Sequence, residues 1–466
     1  MELNHDRLQR SAHDHLLLHF SRNGAFGPGG GELLVLDRGD GPYVFDTRGR
    51  RYIDGLSSLF CAQLGYSYGA EMAATASEQL TRLAFNTNWS TAHPAAIELA
   101  ERLAERAPGG LTHAFFTSGG SESVEAAWKI ARQYHLANGE PARRKAIARH
   151  VAYHGVTLGA LSFTGVQPMK EPFGPSPIPV RHVSNTNRFR APDGGDEAAF
   201  TRRLLDEIER AILAEGPDTI ALIIAEPVQN AGGALTPPDG YWQGLREIAD
   251  RYGILLAADE VITGFGRLGE WFGSQRYGAE PDLITVAKGI TSAYAPMGAV
   301  LVADHVAAPL YDDGRTLLHG ITFGGHPLSA AIALKNIEIF ERDGVLDNVR
   351  ALEGHLEARL AELRALPIVG DVRGAGFFWA VELVKDAAAT PFGAGERERL
   401  LRGFIPKRLL EAGLIARADD RGDSVLQIAP PLISDAGVLD AIVDAMGEVL
   451  ADAGALMGVA DAAGVA

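Results

Sequence analysis

The stretch that decides the fold is Pro281-Asp-Leu-Ile-Thr-Val-Ala-Lys288-Gly289. Between Asp282 and Lys288 only Thr285 is polar, so the pattern predicts a short buried strand. The strand ends at a lysine, one of seven in the chain, and a glycine then turns the backbone. Burial lowers the pKa of an ammonium group, and a neutral amine is a nucleophile. Lys288 is therefore a candidate to form a Schiff base with a carbonyl compound, although a strand-end lysine that reaches into solvent is the commoner case.

Strands and helices alternate around this stretch. Apolar runs predict strands at 114–117, 146–150, 219–226, 254–260, 283–287 and 299–303, and helical periodicity predicts helices at 122–135 and 241–252. Strands that are buried on both faces and separated by helices indicate an α/β fold with a mostly parallel sheet. Ligands of such sheets bind outside the carboxyl ends of the strands.

Two flanking segments have a different pattern. An antiparallel meander is predicted at 32–55, and a short helix near residues 10–20. After Pro327 the pattern predicts helices at 328–342, 346–366, 396–411 and 434–451, strands at 368–373 and 377–383, a hairpin at 414–430 and a tail that is disordered at its end. We expect the flanks, residues 1–70 and 328–466, to form a smaller α+β domain beside a large domain of residues 71–327.

Composition excludes several classes of protein. The 466 residues are 46% hydrophobic and 22% charged, and a net charge of −16 disfavours a general nucleic-acid binder. The single cysteine, Cys61, excludes an internal disulfide and fits a reducing compartment. The amino terminus lacks the apolar core of a signal peptide, and no apolar run is long enough to span a membrane. We expect a cytoplasmic protein with neither a membrane nor a nucleic-acid partner.

A glycine-rich turn, Thr117-Ser-Gly-Gly-Ser-Glu122, joins a predicted strand to a predicted helix. Glycines let the backbone approach an anion, and a helix start offers unpaired N–H groups and the positive end of its dipole. Ser118 and Ser121 add hydroxyl donors, so the turn is a candidate phosphate site. It has neither the Gly-Lys-Ser/Thr ending of a P-loop nor a G-x-G-x-x-G pattern, and an ordinary turn capped by Ser121 explains it equally well.

Two further strand ends carry residues suited to a planar cofactor. Tyr153 follows one strand, and an aromatic ring there can cover a planar ring, although packing is the commoner role of such a tyrosine. Asp259 and Glu260 close the strand ILLAADE, and a carboxylate beside a pyridine nitrogen keeps that nitrogen protonated. A structural N-cap or a metal ligand is the alternative for the carboxylates, but no His or Cys lies near them in sequence.

The order of these features resembles the fold-type I pyridoxal-phosphate enzymes. The segments FTSGGSESVEAAWKIAR, AYHGVT, AEPVQNAGG, DEVITGFGRLGEWFGSQRYGAEPDLITVAKGIT and ITFGGHPLSAA resemble the class III aminotransferases, and most closely the omega-amino acid or amine:pyruvate transaminases. The resemblance extends from about Val35 to Pro431. It implies a large domain with a mostly parallel seven-stranded sheet, a smaller α+β domain built from both termini, and pyridoxal 5'-phosphate as the cofactor.

The resemblance also implies roles for individual residues. Lys288 forms the Schiff base and moves a proton at the amine carbon, Asp259 pairs with the pyridine nitrogen, and Tyr153 and Val261 cover the two faces of the ring. The other cofactor-binding residues that it implies are Ser118, Gly119, Gly120, Ser121, His154, Glu226 and, reaching the neighbouring subunit's cofactor, Thr322. The functional unit is thus expected to be a homodimer with the active site at the interface, with a tetramer left open.

Substrate contacts follow from the same resemblance. Phe60 stands where many relatives have tryptophan, and Trp89 with Asn88 lies in a loop that lines the neighbour's pocket. Arg417 aligns with a mobile arginine that binds the acceptor's carboxylate, for which a planar guanidinium is well suited, and Arg421 is a competitor. For each of these residues, packing within its hairpin or loop is the alternative to a role in substrate binding. Gly119 also departs from relatives, which often have serine or threonine there.

The implied reaction is a ping-pong transfer of an amino group. The donor is an omega-amino acid, a diamine or an arylalkylamine, and the acceptor is an α-keto acid, expected to be pyruvate, with 2-oxoglutarate left open. An aminomutase or decarboxylase of the same fold remains an alternative. A nicotinamide dehydrogenase is disfavoured by the missing G-x-G-x-x-G motif, and a non-catalytic protein by the complete set of expected catalytic positions.

Overall fold

The computed structural model describes residues 4–27, 30–312 and 314–459. The tail end that was predicted to be disordered, 460–466, lies outside the described residues. Among the described helices none is both long and apolar enough to cross a bilayer.

The described strands alternate with helices through the middle of the chain. The strands are β1 (Leu36–Asp40), β2 (Tyr43–Asp46), β3 (Arg51–Asp54), β4 (Leu111–Thr117), β5 (Lys145–Arg149), β6 (Val180–Val183), β7 (Ile220–Ala225), β8 (Leu255–Asp259), β9 (Leu283–Val286), β10 (Gly298–Ala303), β11 (Val369–Ala375), β12 (Phe378–Leu383), β13 (Leu414–Ile415), β14 (Arg417–Asp419) and β15 (Val425–Ile428).

The described helices vary from single turns to six turns. They are α1 (His5–His15), α2 (Ser57–Phe60, a left-handed turn), α3 (Gly69–Arg82), α4 (Pro94–Ala104), α5 (Gly120–Ala137), α6 (Leu158–Phe163), α7 (Gln167–Lys170), α8 (Glu197–Glu215), α9 (Tyr241–Tyr252), α10 (Gly273–Arg276), α11 (Asp304–Ala307), α12 (Pro327–Arg342), α13 (Val345–Glu362), α14 (Ala394–Arg397), α15 (Ile405–Glu411) and α16 (Ala436–Met457).

The central sheet has seven strands in the order β4-β10-β9-β8-β7-β5-β6. Strand β10 runs antiparallel to its two neighbours, and the other six strands all run in one direction. The predicted mostly parallel seven-stranded sheet is therefore confirmed. Strands β7, β8, β9 and β10 are buried throughout, because helices cover the sheet. Strand β6 was not predicted, because its four residues, Val-Arg-His-Val, mix polar and apolar side chains at the edge of the sheet.

The flanking segments form two four-stranded sheets, β1-β2-β3-β13 and β11-β12-β15-β14. The first contains the predicted meander, and β13 joins it by pairing parallel to β3, with Leu414 opposite Ile53. Residues from both ends of the chain therefore share one sheet, as expected for the smaller α+β part. The boundaries 1–70, 71–327 and 328–466 remain our proposal.

Two predicted helices differ from those observed. Helix α1 spans His5–His15 rather than 10–20, because Asn4 accepts a hydrogen bond from the Arg7 amide and caps it. The helix predicted at 396–411 contains a π-helical segment, Glu398–Phe404, between α14 and α15. This segment precedes Pro406, which has no N–H to donate within the helix and so disturbs the regular bonding there.

The parallel strands bring distant parts of the chain to one edge of the sheet. Strands β4, β5, β7, β8 and β9 are mutually parallel, so their carboxyl ends lie together. The turn after β4, the segment after β5 and the ends of β7, β8 and β9 carry most of the predicted site residues. The topology thus places the candidate site at this edge.

Candidate active site

A cavity of about 160 Å³ opens at the carboxyl edge of the central sheet. It gathers eight of the residues that the sequence predicts for the site, Gly120, Ser121, Tyr153, His154, Glu226, Asp259, Val261 and Lys288. Its other lining residues are Gly155, Val228, Asn230, Ile262 and Ala287. These five were not predicted, although Val228, Asn230 and Ile262 follow strand ends, a position that would have identified them.

Lys288 lies two residues after the end of β9 and lines the cavity. Its backbone has a φ of 45°, an unusual conformation for a residue other than glycine. Its Nζ makes no hydrogen bond or ion pair with the described residues, and it lies 5.8 Å from the centre of the Phe60 ring. Burial lowers the pKa of Lys288, only partly opposed by Cys61 and Asp259. The amine is therefore neutral, and nucleophilic, at lower pH than an exposed lysine.

Asp259, at the end of β8, is 4% exposed and firmly oriented. Its Oδ2 accepts a hydrogen bond from Nδ1 of His154 at 2.6 Å, and its Oδ1 accepts one from Oγ1 of Thr285 at 3.0 Å. The Val261 amide also donates to Oδ1, at 3.2 Å. These donors occupy both oxygens of the buried carboxylate and fix its orientation.

Glu260, the neighbouring carboxylate, does not line the cavity. Side chains of successive strand residues point to opposite faces, so Glu260 is directed away from Asp259. It is fully buried and accepts hydrogen bonds from the amides of Gly273 and Ser274 at 2.8 and 2.6 Å. The hydroxyls of Thr263 and Ser274 also donate to it, both at 2.5 Å. Glu260 thus binds the first amides of α10 through its side chain, although the N-cap residue of that helix is Phe272.

The predicted phosphate turn contributes its second half to the cavity. Helix α5 begins at Gly120, where an added Cβ would lie 3.0 Å from Cγ1 of Val261. Ser121 Oγ accepts a hydrogen bond from the Val156 amide at 3.1 Å. Ser118 lies outside the cavity lining, and both its amide and its hydroxyl donate to Glu122 at 2.8 Å. Gly120 and Ser121 thus present the start of a helix to the cavity.

Gly119 is not required by sterics. Its φ of 176° is ordinary extended backbone, and an added Cβ would meet nothing within 4 Å. It also lies outside the cavity lining. A serine or threonine would therefore fit at this position.

Glu226, at the end of β7, is held by the chain around it. Arg149 Nη2 donates to its carbonyl oxygen at 2.6 Å, and the Tyr153 amide donates to its Oε1 at 3.4 Å. Burial raises the pKa of Glu226, and it also raises the pKa of the Tyr153 phenol. The Arg421 guanidinium lies 5.5 Å from the centre of the Tyr153 ring, on the hairpin side of the cavity.

The predicted substrate residues lie outside the cavity lining. Phe60 is buried beside Lys288. Trp89 is 60% exposed and Thr322 is exposed. Asn88 Nδ2 donates to the Gly324 carbonyl at 3.0 Å, so the two surface loops that carry Trp89 and Thr322 pack together.

The residues around the cavity fit pyridoxal phosphate. Lys288 offers a half-buried amine without a hydrogen-bond partner among the described residues, and Asp259 offers an oriented carboxylate. Nε2 of His154 is buried and also lacks a partner in the described chain. Gly120 and Ser121 provide unpaired amides at a helix start, which suit a phosphate.

Comparison with known proteins gives the same result. The family model "Aminotransferase class-III" matches residues 27–450. A probable aminotransferase of Mycobacterium tuberculosis is 50% identical over 437 residues, covering 93% of this chain and 92% of the relative. The putrescine–pyruvate aminotransferase of Pseudomonas aeruginosa is 39% identical over 420 residues, covering 88% of each chain.

Solved structures agree with the sequence comparison. An (S)-enantioselective omega-transaminase from Thermomicrobium roseum superposes with a TM-score of 0.93 at 40% identity, covering 97% of this chain and all of the other. The omega-transaminase of Pseudomonas jessenii, solved in complex with PMP, has a TM-score of 0.90 at 35% identity, covering 97% and 99%. The chain therefore belongs to the class-III aminotransferases, enzymes that depend on pyridoxal phosphate.

Proposed function

We propose that this enzyme transfers the amino group of an omega-amino acid, a diamine or an arylalkylamine to an α-keto acid, with pyruvate as the acceptor, in two half-reactions. The observation that carries the proposal is the half-buried Lys288 amine, which has no hydrogen-bond partner in the described chain and shares one cavity with the oriented Asp259–His154 pair. The named activity of the putrescine–pyruvate relative supports both a diamine donor and pyruvate. The alternative is an aminomutase or a decarboxylase of the same fold.

Several residues of the cavity are suited to hold the cofactor. Pyridoxal phosphate, when bound, supplies an aldehyde that bonds reversibly to amines and a ring that spreads developing negative charge. We assign Gly120 and Ser121 to its phosphate, Asp259 to its ring nitrogen, and Tyr153 and Val261 to its two faces. His154 orients Asp259 through the 2.6 Å hydrogen bond.

The remaining assignments concern the proton and the ring hydroxyl. We assign the proton transfer at the amine carbon to Lys288, whose lowered pKa suits an acid–base group. Glu226 is assigned to the ring-hydroxyl side of the site. Ser118 and Gly119 belong to the phosphate turn but do not line the cavity, so we assign them to holding the turn rather than to direct contact with the phosphate.

Arg417 is the better candidate than Arg421 for binding the acceptor's carboxylate. Arg421 is already engaged: its Nε lies 2.9 Å from each carboxylate oxygen of Asp419, and its amide bonds to the same side chain at 3.0 Å. The Nε of Arg417 lies farther from Asp419, at 3.6 Å from its Oδ2, beyond hydrogen-bond distance. A guanidinium that makes no hydrogen bond to the described chain is available for a substrate carboxylate.

Replacing Arg417 by alanine is expected to raise the KM for pyruvate about 10- to 100-fold, because a charge-assisted bidentate contact is lost. The kcat and the KM for an amine without a carboxylate should change little. Steady-state kinetics with each substrate varied in turn measures both. Arg421→Ala is the comparison: it should lower the melting temperature, since it leaves buried Asp419 without its main partner. A larger effect of Arg421→Ala on the pyruvate KM would reverse the assignment.

We further propose a homodimer with the active site at its interface, in which Thr322 reaches the neighbour's cofactor. Exposed Phe85, Trp89, Leu318 and Phe323 accompany Thr322 on the surface and support this, because apolar side chains concentrated on a surface favour association. Trp89 is proposed to line the neighbour's substrate pocket, and Phe60 its own. We also propose a cytoplasmic location, supported by the single cysteine.

The visible spectrum of the purified enzyme tests the proposed function. A yellow band that bleaches on addition of putrescine or 1-phenylethylamine and returns with pyruvate, with stoichiometric alanine formed, is the expected result. A band that returns with 2-oxoglutarate but not with pyruvate would correct the acceptor. Carbon dioxide release, or a rearranged amine with no alanine, would establish the decarboxylase or the aminomutase instead.

A further inference from the structure

Four consecutive residues before Cys61, none of them glycine, adopt left-handed backbone. The φ angles are 48°, 45°, 77° and 66° at Ser57, Ser58, Leu59 and Phe60. The Phe60 amide bonds four residues back to the Leu56 carbonyl at 2.7 Å, which closes one left-handed helical turn. L-residues enter this region singly and at a steric cost, so a run of four persists only where its surroundings hold it.

The turn is anchored through a buried hydroxyl and a buried guanidinium. Ser57 Oγ donates to the Ala429 carbonyl at 2.7 Å and accepts from Arg267 Nη2 at 3.1 Å. Arg267 is fully buried, and its Nη1 donates to the carbonyls of Phe377 and Pro430 at 3.1 and 2.5 Å. Burial lowers the pKa of Arg267 to about 9, so it stays charged at neutral pH. The guanidinium thus ties the turn to two segments of the smaller part.

A carboxylate holds the segment that leads into the turn. Asp54 is buried and accepts hydrogen bonds from the Leu56 amide at 3.2 Å and from the Tyr66 hydroxyl at 2.5 Å. The turn therefore has one anchor where it begins, at Asp54, and a second at Ser57.

The last residue of the turn is Phe60, whose ring lies next to Lys288. Phe60 is buried, and its ring centre lies 5.8 Å from Lys288 Nζ and 5.5 Å from the ring of Phe378, in an edge-to-face contact. It belongs to the same apolar cluster as Val228 and Ile262, two residues of the cavity wall. Because these side chains are in contact, a shift of the turn would move the wall beside Lys288.

We propose that Ser57 and Arg267 are positioning residues that act through Phe60: they hold the left-handed turn so that Phe60 limits the size of the group an amine donor places beside Lys288. This inference rests on the proposed function for its substrate class. Neither residue touches the cavity, and neither was expected from the sequence. The left-handed backbone is sterically strained, so without the hydrogen bonds of Ser57 and Arg267 the turn would relax toward ordinary backbone. Phe60 would then no longer be held in place.

Hydrogen exchange of the holoenzyme tests the anchor without any catalytic assay. In Ser57→Ala we expect the amides of Phe60 and Cys61 to exchange at least about 10-fold faster, because one buried hydroxyl no longer holds the turn. Ser162→Ala is the matched control. Ser162 is equally buried, and its hydroxyl joins the carbonyl of Leu158 to the amide of Ile178, far along the chain from the turn. That variant should leave exchange in the turn unchanged.

Kinetics tests the effect on specificity. The ratio of kcat/KM for the bulkier amine 1-phenylpropylamine to that for the smaller amine 1-phenylethylamine is expected to rise about 5-fold or more in Ser57→Ala and less than 2-fold in Ser162→Ala. Adding Ser58→Gly should rescue both measurements toward wild type. Ser58 is exposed, and glycine occupies its φ of 45° without steric cost, so the turn then needs less anchoring.

The outcomes separate the inference from the proposed function. Faster exchange with a shifted ratio in Ser57→Ala, both reversed by Ser58→Gly, supports the positioning role. An unchanged ratio in Ser57→Ala, or an equal shift in Ser162→Ala, overturns it while leaving the transaminase activity intact. If the wild-type enzyme transfers the amino group of no omega-amino acid, diamine or arylalkylamine, the proposed function fails, and unchanged exchange in Ser57→Ala would then overturn the anchor independently.

Discussion

Lys288→Ala is expected to lower kcat/KM for amine transfer at least about 10,000-fold, because one side chain supplies both the nucleophile and the proton-transfer group. The structure gives no substitute, since Lys288 is the only lysine that lines the described cavity. The fold should survive, because the Lys288 amine makes no hydrogen bond or ion pair with the described residues. Steady-state kinetics and circular dichroism on the same preparation measure the two effects.

Lys407→Ala is the control, since the Lys407 side chain is 77% exposed on α15, and it should behave as wild type. Borohydride reduction followed by peptide mass analysis gives a second test that needs no turnover. In the wild type the reduced cofactor should be found on the peptide that contains Lys288. Its attachment to another lysine, such as Lys170, would contradict the assignment.

Asp259→Asn is expected to lower kcat about 1,000-fold, because the ring nitrogen loses the negative partner that keeps it protonated. The change is nearly isosteric. The one oxygen that remains can still accept from Thr285 and Val261, and the new NH₂ group can donate to Nδ1 of His154 in its other ring tautomer, so the melting temperature should move little. The measurements are kcat for the amine half-reaction and thermal unfolding of the same sample. A kcat within about 10-fold of wild type would remove Asp259 from the catalytic set.

Glu260→Gln is the matched comparison, since it makes the same change on the next residue. The glutamine side chain would place an NH₂ group against hydrogen-bond donors that now point at the Glu260 carboxylate. These donors are two backbone amides and two hydroxyls. We expect a loss of about 2–4 kcal/mol in the free energy of unfolding and a change in kcat of less than about 10-fold. Equal effects on kcat from the two variants would mean that the Asp259 result reflects folding rather than chemistry.

Local sequence patterns correctly predicted the strands and the helix start that position the site. The apolar runs that end at Asp259 and Lys288 are long enough, and buried enough, to identify strands without any tertiary information. The glycine-rich turn before Gly120 marks the start of a helix for the same local reason. Short edge elements such as β6 carry no such signal, because an edge strand needs only one apolar face.

Long-range contacts decided what local patterns left open. Adjacent carboxylates Asp259 and Glu260 look alike in sequence, and only the direction of each side chain in the folded sheet separates the cavity from the structural role. Arg417 and Arg421 both lie near Asp419, but only Arg421 is hydrogen-bonded to it. Asp419 is close to both arginines in sequence, so only the folded geometry of the hairpin distinguishes them.

The sequence by itself determined the family, the sheet, and the chemical identity of the cavity, because strand-end residues of parallel strands must converge at one edge. The tertiary structure alone decided which of these residues face the cavity, and it alone revealed the left-handed turn at Ser57–Phe60 with its anchor, Arg267. The physical reason is that a run of four left-handed residues has no local cause. It exists because hydrogen bonds from residues more than 200 positions away outweigh its steric cost.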